Sequence, residues 1–581
     1  MPVTPHRNRI IPAGATRHRV RQTLAVLCLI VPLLSACAND YVSLADIQQP
    51  AGAPAVAQVP ASAPAAADHS VDIQKTAQAA VYLDTGENGS ALLVSAPVTS
   101  GTGGKPLNAA VEVAPTPVVS EPAPLPVESA AASTAAELSI NTVYTPYQYT
   151  IQPGDTLAGL SGRFGVPAAE LISTQTLPAS GRLEPGLQLT IPAKVTSPRY
   201  SARLLPDSEL VFSPSALDFD IDSYIVNSGG YLATYREYLN STGWISGAAI
   251  IRKVATDNSI NPRLLLALLQ YRSNWVLGQP ADQAARDYPL GYQDSLKKGL
   301  YSQLTWAVNQ LSYAYYGWRE GTVTSYTFSD GTRQSASPDL NAGTFALQYL
   351  LSQLYTPEAF ADAYQAAANL PALHQAMFGD AWARAAVYEP IFTDALTQPD
   401  LILPIEPGVE WSFTGGPHPA WGKQGALAAV DFAPSGASGC SASNDWVLAA
   451  ASGIVARSGG GVVVMDLDGD GNEQTGWNLL YMHIANQDRP AVGTWLKQGD
   501  RLGHPSCEGG VSTGTHFHFA RKYNGEWILA GGPLPFNLDG WIVAAGDEPY
   551  KGTLSRDGQV ITACTCGTSE TYIFRDNPAG N

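Results

Sequence analysis

The stretch "STGTHFHFARK", Ser512 to Lys522, holds two of only nine histidines in a chain of 581 residues. His516 and His518 stand two apart among alternating aromatics. In a β-strand that spacing puts both imidazoles on one face and Phe517 and Phe519 on the other. Such a pair is either a polar rim on a sheet or part of a metal site. From about Leu403 onward, short apolar runs ("WVLAA", "GIVARS", "GVVVMDL", "NLLYMHI") alternate with Gly-rich turns, the pattern of an antiparallel sheet fold. Five of the nine histidines fall in this segment.

Two companion stretches bear on the choice. "TGGPHPAWGKQGALAAVDFAP" supplies His418 and Asp431, and "LYMHI" supplies His483. With "THFHF" they resemble the set of zinc-dependent peptidoglycan endopeptidases of the lysostaphin and LytM type, over residues 403–550. The step of thirteen from His418 to Asp431 is similar to that of the beta-lytic metallopeptidase branch, not to the tighter step of lysostaphin. The resemblance implies an antiparallel all-β metallopeptidase domain. It also implies one catalytic Zn2+ held by His418, Asp431 and His518, with the fourth position left to water. It further implies His516 as general base and His483 as stabiliser of the oxyanion. Spacing alone does not separate these roles, because a strand HxH pair can also ligate a metal with both rings. The implied reaction is hydrolysis of peptide bonds in peptidoglycan stems or cross-links. The rival from another class is an envelope adaptor that binds peptidoglycan and activates other hydrolases. Such adaptors usually lack part of the ligand set, whereas all five residues stand here.

Other features of this segment read as structural. Asp466, Asp468 and Asp470 in "DLDGDGNEQTGW" have the spacing of a calcium-loop start, but position twelve is Trp477 instead of a bidentate acid. A solvated hairpin turn through Gly469 to Asn472 is the favoured reading, with a Ca2+ site as the alternative. His504 reads as structural or rim. Cys440 and Cys507 flank the candidate site and are the preferred bridge; Cys564 and Cys566 would be strained if paired.

The N-terminus carries Arg7, Arg9, Arg17, Arg19 and Arg21 before the apolar run "TLAVLCLIVPLL" and "SAC". This is a secretory leader, too short for a permanent membrane span. Leu34-Ser35-Ala36-Cys37 resembles a bacterial lipobox, which implies cleavage after residue 36, acylation of Cys37 and anchoring to a membrane by the N-terminal lipid. Residues 37–140 are Pro/Ala/Val/Ser tracts without periodicity, expected as a disordered tether.

Residues 147–193 follow, with "YTIQPGDTLAGLSGRFGVPAAELISTQTLPASGRLEPGLQLTIP". Asp155 or Thr156 is the expected N-cap of a helix bearing Leu157, Leu160 and Phe164, with a second short helix over 167–172 and a closing strand. The stretch resembles a LysM module, a β-α-α-β unit that binds N-acetylglucosamine-containing glycans, although Gln175 stands where the family usually has Asn. Residues 205–395 read as α-helical. "SINPRLLLALLQYRSNWV" resembles the helix that leads into the catalytic Glu of lysozyme-like transglycosylases, but Arg272 occupies that position. The implied state is a lysozyme-like domain that has lost its acid. The aromatics from Tyr313 to Trp318 and His374 are expected in the core. Residues 551–581 are left as a C-terminal extension.

Length, acidity and composition agree with several domains outside the cytosol. Net charge is −17 and no basic stripe is present, so a nucleic-acid partner is excluded. The expected whole is an exported, lipid-anchored, multidomain envelope protein facing the cell wall.

Overall fold

The structure is a computed structural model that describes residues 146–178, 181–192, 200–365, 369–393, 395–437 and 439–576. The leader, Cys37 and the tether of 37–140 lie outside the described residues.

The first unit has β1 (Tyr147–Thr150), α1 (Leu157–Phe164), β2 (Ile172–Ser173) and β3 (Gln188–Ile191), paired antiparallel in the order β1-β3-β2. Thr156 is the N-cap, its hydroxyl accepting from the Gly159 N–H at 2.9 Å. Asp155 instead closes the preceding turn, accepting from the Gln152 N–H and the Tyr149 hydroxyl. The second helix expected over 167–172 is reduced to one 3-10 turn, Ala168–Glu170. Ile172 must become extended to pair with Thr190, and that stops the helix.

The middle unit is built on α2 (Gly247–Asn258), α3 (Pro262–Ser273), α4 (Leu300–Glu320) and α5 (Ala342–Ser352). Asn261 caps α3 by accepting from the Arg263 N–H at 2.9 Å, and Pro262 fills the first turn. Leu264 to Leu269 are all buried, which is why α3 is leucine-rich on every side; each buried leucine contributes about 1.5–3 kcal/mol. The unit is not purely helical. Two hairpins, Arg236–Leu239 with Gly243–Ser246 and Ser325–Thr327 with Arg333–Ser335, belong to it. Arg272 donates from Nε to the Leu290 carbonyl at 3.0 Å and lies 4.8 Å over the Tyr355 ring. His374 is buried beside Glu209, and burial pushes its pKa down to about 3. Tyr315, Tyr316 and Trp318 are core residues; Tyr313 is exposed.

The third unit centres on β4 (Trp411–His418), β5 (Ala429–Pro434), β6 (Gly453–Gly459), β7 (Val462–Asp466), β8 (Trp477–Met482) and β9 (Phe517–Tyr523). The sheet runs Trp495–Leu496, β6, β7, β8, β9, β5, β4, Tyr572–Ile573, with antiparallel neighbours throughout. The boundary expected at residue 550 is therefore misplaced. Gly552–Arg556 and Gln559–Thr562 complete a second four-stranded sheet, and Tyr572–Ile573 pairs with β4. Leu554, Ile561 and Ile573 bury their side chains in the β core, so the supposed extension is part of the domain.

Both faces of the sheet are covered. Val463, Met465, Leu479, Tyr481, Phe517 and Phe519 fill the β core. Val462, Val464, Leu480, Met482 and Ala520 share a core with the helices. Covered faces explain why β7 reads as an unbroken apolar run. A buried charge network stitches this seam. Arg457 on β6 bonds Asp257 of α2 at 2.8 Å and Glu473 at 3.1 Å, and Lys522 bonds Glu473 at 2.8 Å.

Candidate metal centre

Strand register assembles the site. His518 on β9 stands opposite Asp431 on β5, and Asp431 stands opposite Gly415 on β4. Directly opposed residues in antiparallel strands share a face, so His518 and Asp431 meet there, and His418 arrives at the end of β4. The His418 Nε2 lies 3.2 Å and the His518 Nδ1 3.4 Å from Asp431 Oδ1, and the two ring nitrogens are 2.9 Å apart. All three residues are buried.

The outward ring atoms fix the tautomers. His418 Nδ1 donates to the Gly416 carbonyl at 2.8 Å, and His518 Nε2 donates to the Ala420 carbonyl at 3.1 Å. Each ring therefore turns a lone pair inward. Asp431 Oδ1 is buried and has no hydrogen-bond donor among the described residues. Two imidazole lone pairs and a carboxylate oxygen, all within 3.4 Å, repel one another unless a cation sits between them. The donor set fits a small divalent metal, for which N/O ligation at about 2.0–2.2 Å needs separations of this size. The same demand for positive charge shows in the proton affinities. Burial would lower His418, but the Asp431 carboxylate outweighs it and raises the ring. Burial would raise Asp431, yet His418 holds it well below the usual carboxylate range.

Gly415 makes room for the carboxylate. A Cβ there would come 2.5 Å from Asp431 Oδ2. Gly415→Ala should therefore push Asp431 aside and weaken metal affinity by about 10-fold or more, measured by chelator competition. Affinity unchanged within error would show that the carboxylate has slack.

His483 and His516 form a second pair beside the first, ring centroids 4.4 Å apart. His516 Nε2 lies 3.9 Å from Asp431 Oδ1, while its Nδ1 donates to the Gly514 carbonyl at 2.7 Å. The Nε2 lone pair thus faces the site. His483 holds a left-handed backbone (φ 64°) and donates from Nδ1 to the Glu508 carbonyl at 2.7 Å. Burial, with His516 and His518 adding to it, pushes His483 down to about 3. A neutral ring so held presents a lone pair at Nε2 and no proton. The oxyanion-donor role implied by resemblance would need a second proton on this ring, at Nε2.

The remaining sequence candidates fall outside this cluster. Cys440 and Cys507 are bonded, tying the segment after β5 to the loop before β9. Cys564 and Cys566, a pair read from sequence as strained if bonded, are also paired. Ligand atoms of Asp466, Asp468 and Asp470 lie within 4.8 Å of each other. Asp466 accepts from the Asp468 and Gly471 N–H groups, Asp468 from that of Asp470, and Asp470 from that of Asn472, so each carboxylate closes the turn. His504 is buried against Trp446 and bonds the Asp445 carbonyl at 2.9 Å. Tyr550 was not singled out from sequence. Its ring stacks on His418 at 4.2 Å, and its backbone bonds Gly416 and Pro417, bracing the ligand from the last residue of the expected domain. No local motif marks it.

Comparison with known proteins adds a family context. Residues 149–192 match the LysM domain, and residues 203–391 match "LasA, N-terminal domain". "Protease LasA" of Pseudomonas aeruginosa (strain UCBPP-PA14) is 29% identical over 378 residues, 58% of this chain and 82% of that protein. "Beta-lytic metalloendopeptidase" of Achromobacter lyticus is 26% identical, over 31% of this chain and 46% of its own. Among solved structures, the M23 metalloprotease pseudoalterin, from the deep sea, aligns at 23% identity and TM-score 0.25, over 31% of this chain and 99% of its own.

Proposed function

We propose that the chain is a LytM-type metalloendopeptidase that cleaves peptide bonds of peptidoglycan stems or cross-links at a zinc site while its LysM domain holds the glycan. The observation that carries the reading is the convergence of two imidazole lone pairs and an orphaned carboxylate oxygen on one point. His418, Asp431 and His518 would hold the metal, and when bound it supplies Lewis acidity toward the scissile carbonyl and a more acidic water.

The protein's own groups do the proton work. His516, held in one tautomer by the Gly514 carbonyl, takes a proton from the attacking water through Nε2 and returns it to the leaving amine. His483 accepts from the same water and keeps it in line. With all five residues in place, an adaptor role is the weaker reading. The helical unit supplies no glycosidic acid at the compared position, because an arginine stays protonated and does not donate. The export leader and an acylated Cys37 would place the enzyme at the cell envelope. No helix among the described residues is long and apolar enough to cross a membrane.

Deleting residues 149–192 should weaken binding to insoluble peptidoglycan several-fold while hydrolysis of a small soluble stem peptide changes little, since glycan anchoring adds local concentration and not chemistry. Retention on the pellet unchanged by the deletion would reject glycan anchoring. Peptide hydrolysis that survives complete metal removal would reject the zinc reading.

A further inference from the structure

We propose that helix α4 of the helical unit is a working part of the metal site, with Asn309 as the positioning residue that clamps the loop 419–428 and, through it, fixes the ligand His518. The inference rests on the metal-site reading above and explains the long step between His418 and Asp431. The residues between those two ligands form a loop, and the loop is docked on the helix.

The loop is closed on itself and anchored at both ends. The Ala420 N–H donates to the Ala426 carbonyl at 3.0 Å, as does the Ala428 N–H at 2.8 Å. Ala420, Ala426 and Ala428 are buried within the core of the helical unit, although they belong to the β domain by sequence. At the tip, Asn309 Oδ1 accepts from the N–H groups of Lys423 and Gln424, at 3.0 and 3.1 Å. The Asn309 Nδ2 donates to the Thr305 carbonyl at 2.6 Å, so the amide cannot turn away. One turn along α4, Gly425 (φ 137°) rests on Ser312; a Cβ there would meet the Ser312 Cβ at 2.9 Å. Helix and loop therefore fit only with an amide at 309 and no side chain at 425.

The consequence reaches the metal in two steps. The clamped loop aims the Ala420 carbonyl at His518 Nε2, 3.1 Å away. That bond holds the proton on Nε2, leaves Nδ1 as the ligand atom and sets the rotation of the ring. Groups that orient a metal-ligating histidine in this way are typically worth about 10–100-fold in metal affinity or activity. Asn309 touches neither substrate nor metal and acts only through the loop.

The test uses the full exported chain with three substitutions. Asn309→Ala removes the clamp while placing a better helix former on α4, so the helix is not weakened. Gly425→Val drives the loop off Ser312. Asp257→Asn removes the charge from the Arg457 ion pair elsewhere on the same seam and serves as control. Zinc affinity by chelator competition should fall about 10-fold in Asn309→Ala and up to about 100-fold in Gly425→Val, and stay within about twofold in Asp257→Asn. Hydrogen exchange on the metal-free proteins should show the amides of 420–428 opening faster in Asn309→Ala and Gly425→Val, and not in the control. Equal affinity in Asn309→Ala and the parent, or the same loss in the control, overturns the clamp. A parent that binds no zinc would sink the proposed function instead, and the exchange data would still decide the clamp. Should Gly425→Val fail to fold, Asn309→Ala and the control settle the matter.

Discussion

His518→Ala should lose bound zinc and peptide hydrolysis together, whereas His516→Ala should keep one zinc per chain and lose about 10²–10⁴-fold in turnover, the range for removing a general base. The two residues are neighbours on one strand face, yet their ring contacts differ. His518 Nδ1 lies in the ring of ligand atoms, 3.4 Å from Asp431 Oδ1. His516 Nε2 stands 3.9 Å from that oxygen and is the more accessible, with 18% of its side chain exposed. Zinc content of the purified variants, read beside their kcat on a stem peptide, checks this. Loss of the metal from His516→Ala as complete as from His518→Ala would show that both rings ligate.

Glu473→Gln should destabilise the chain by about 3–5 kcal/mol, because it leaves the buried Lys522 ammonium without its carboxylate and takes from Arg457 one of the two carboxylates that bond it. Glu473 itself reports on the network through pH. Burial would raise its pKa, but Arg457 and Lys522 outweigh burial and hold it down at about 2, against an ordinary value of 4.5. A depressed acid binds its proton less readily folded than unfolded. Its contribution is therefore complete above about pH 4.5 and drains away as pH falls toward 2. Burial also lowers Lys522 despite its bond to Glu473, so the pairing is costly to assemble and costly to break. Thermal unfolding of parent and variant from pH 7 to pH 3 measures both. The gap between them should narrow as Glu473 is protonated; a gap that stays constant would remove this carboxylate from the acid response.

The sequence exposed what is local. The HxH strand, the Asn261–Pro262 cap and the Thr156 turn each write their structure within a few residues, and each is found. The candidate site was legible because its residue types are rare in this chain and carry metal chemistry. What could not be read depends on segments that meet only in the fold. The strand Tyr572–Ile573 pairs with β4 across some 160 residues of chain, so nothing near residue 550 signals that the domain continues. Tyr550 braces His418 by the same kind of long return. The second LysM helix failed for the opposite reason: helical spacing was present, but pairing with β3 won. The tautomer of His483 depends on a backbone carbonyl, that of Glu508, which no side-chain pattern reveals.

The central claim is tested most directly by digesting purified sacculi with the chain that follows Cys37, with and without chelator, and identifying the released fragments by mass spectrometry. The account predicts fragments with newly opened peptide bonds, no newly opened glycosidic bonds, and no release once the metal is stripped until zinc is returned. Release that persists without metal, or that consists of fragments cut only in the glycan, would contradict it.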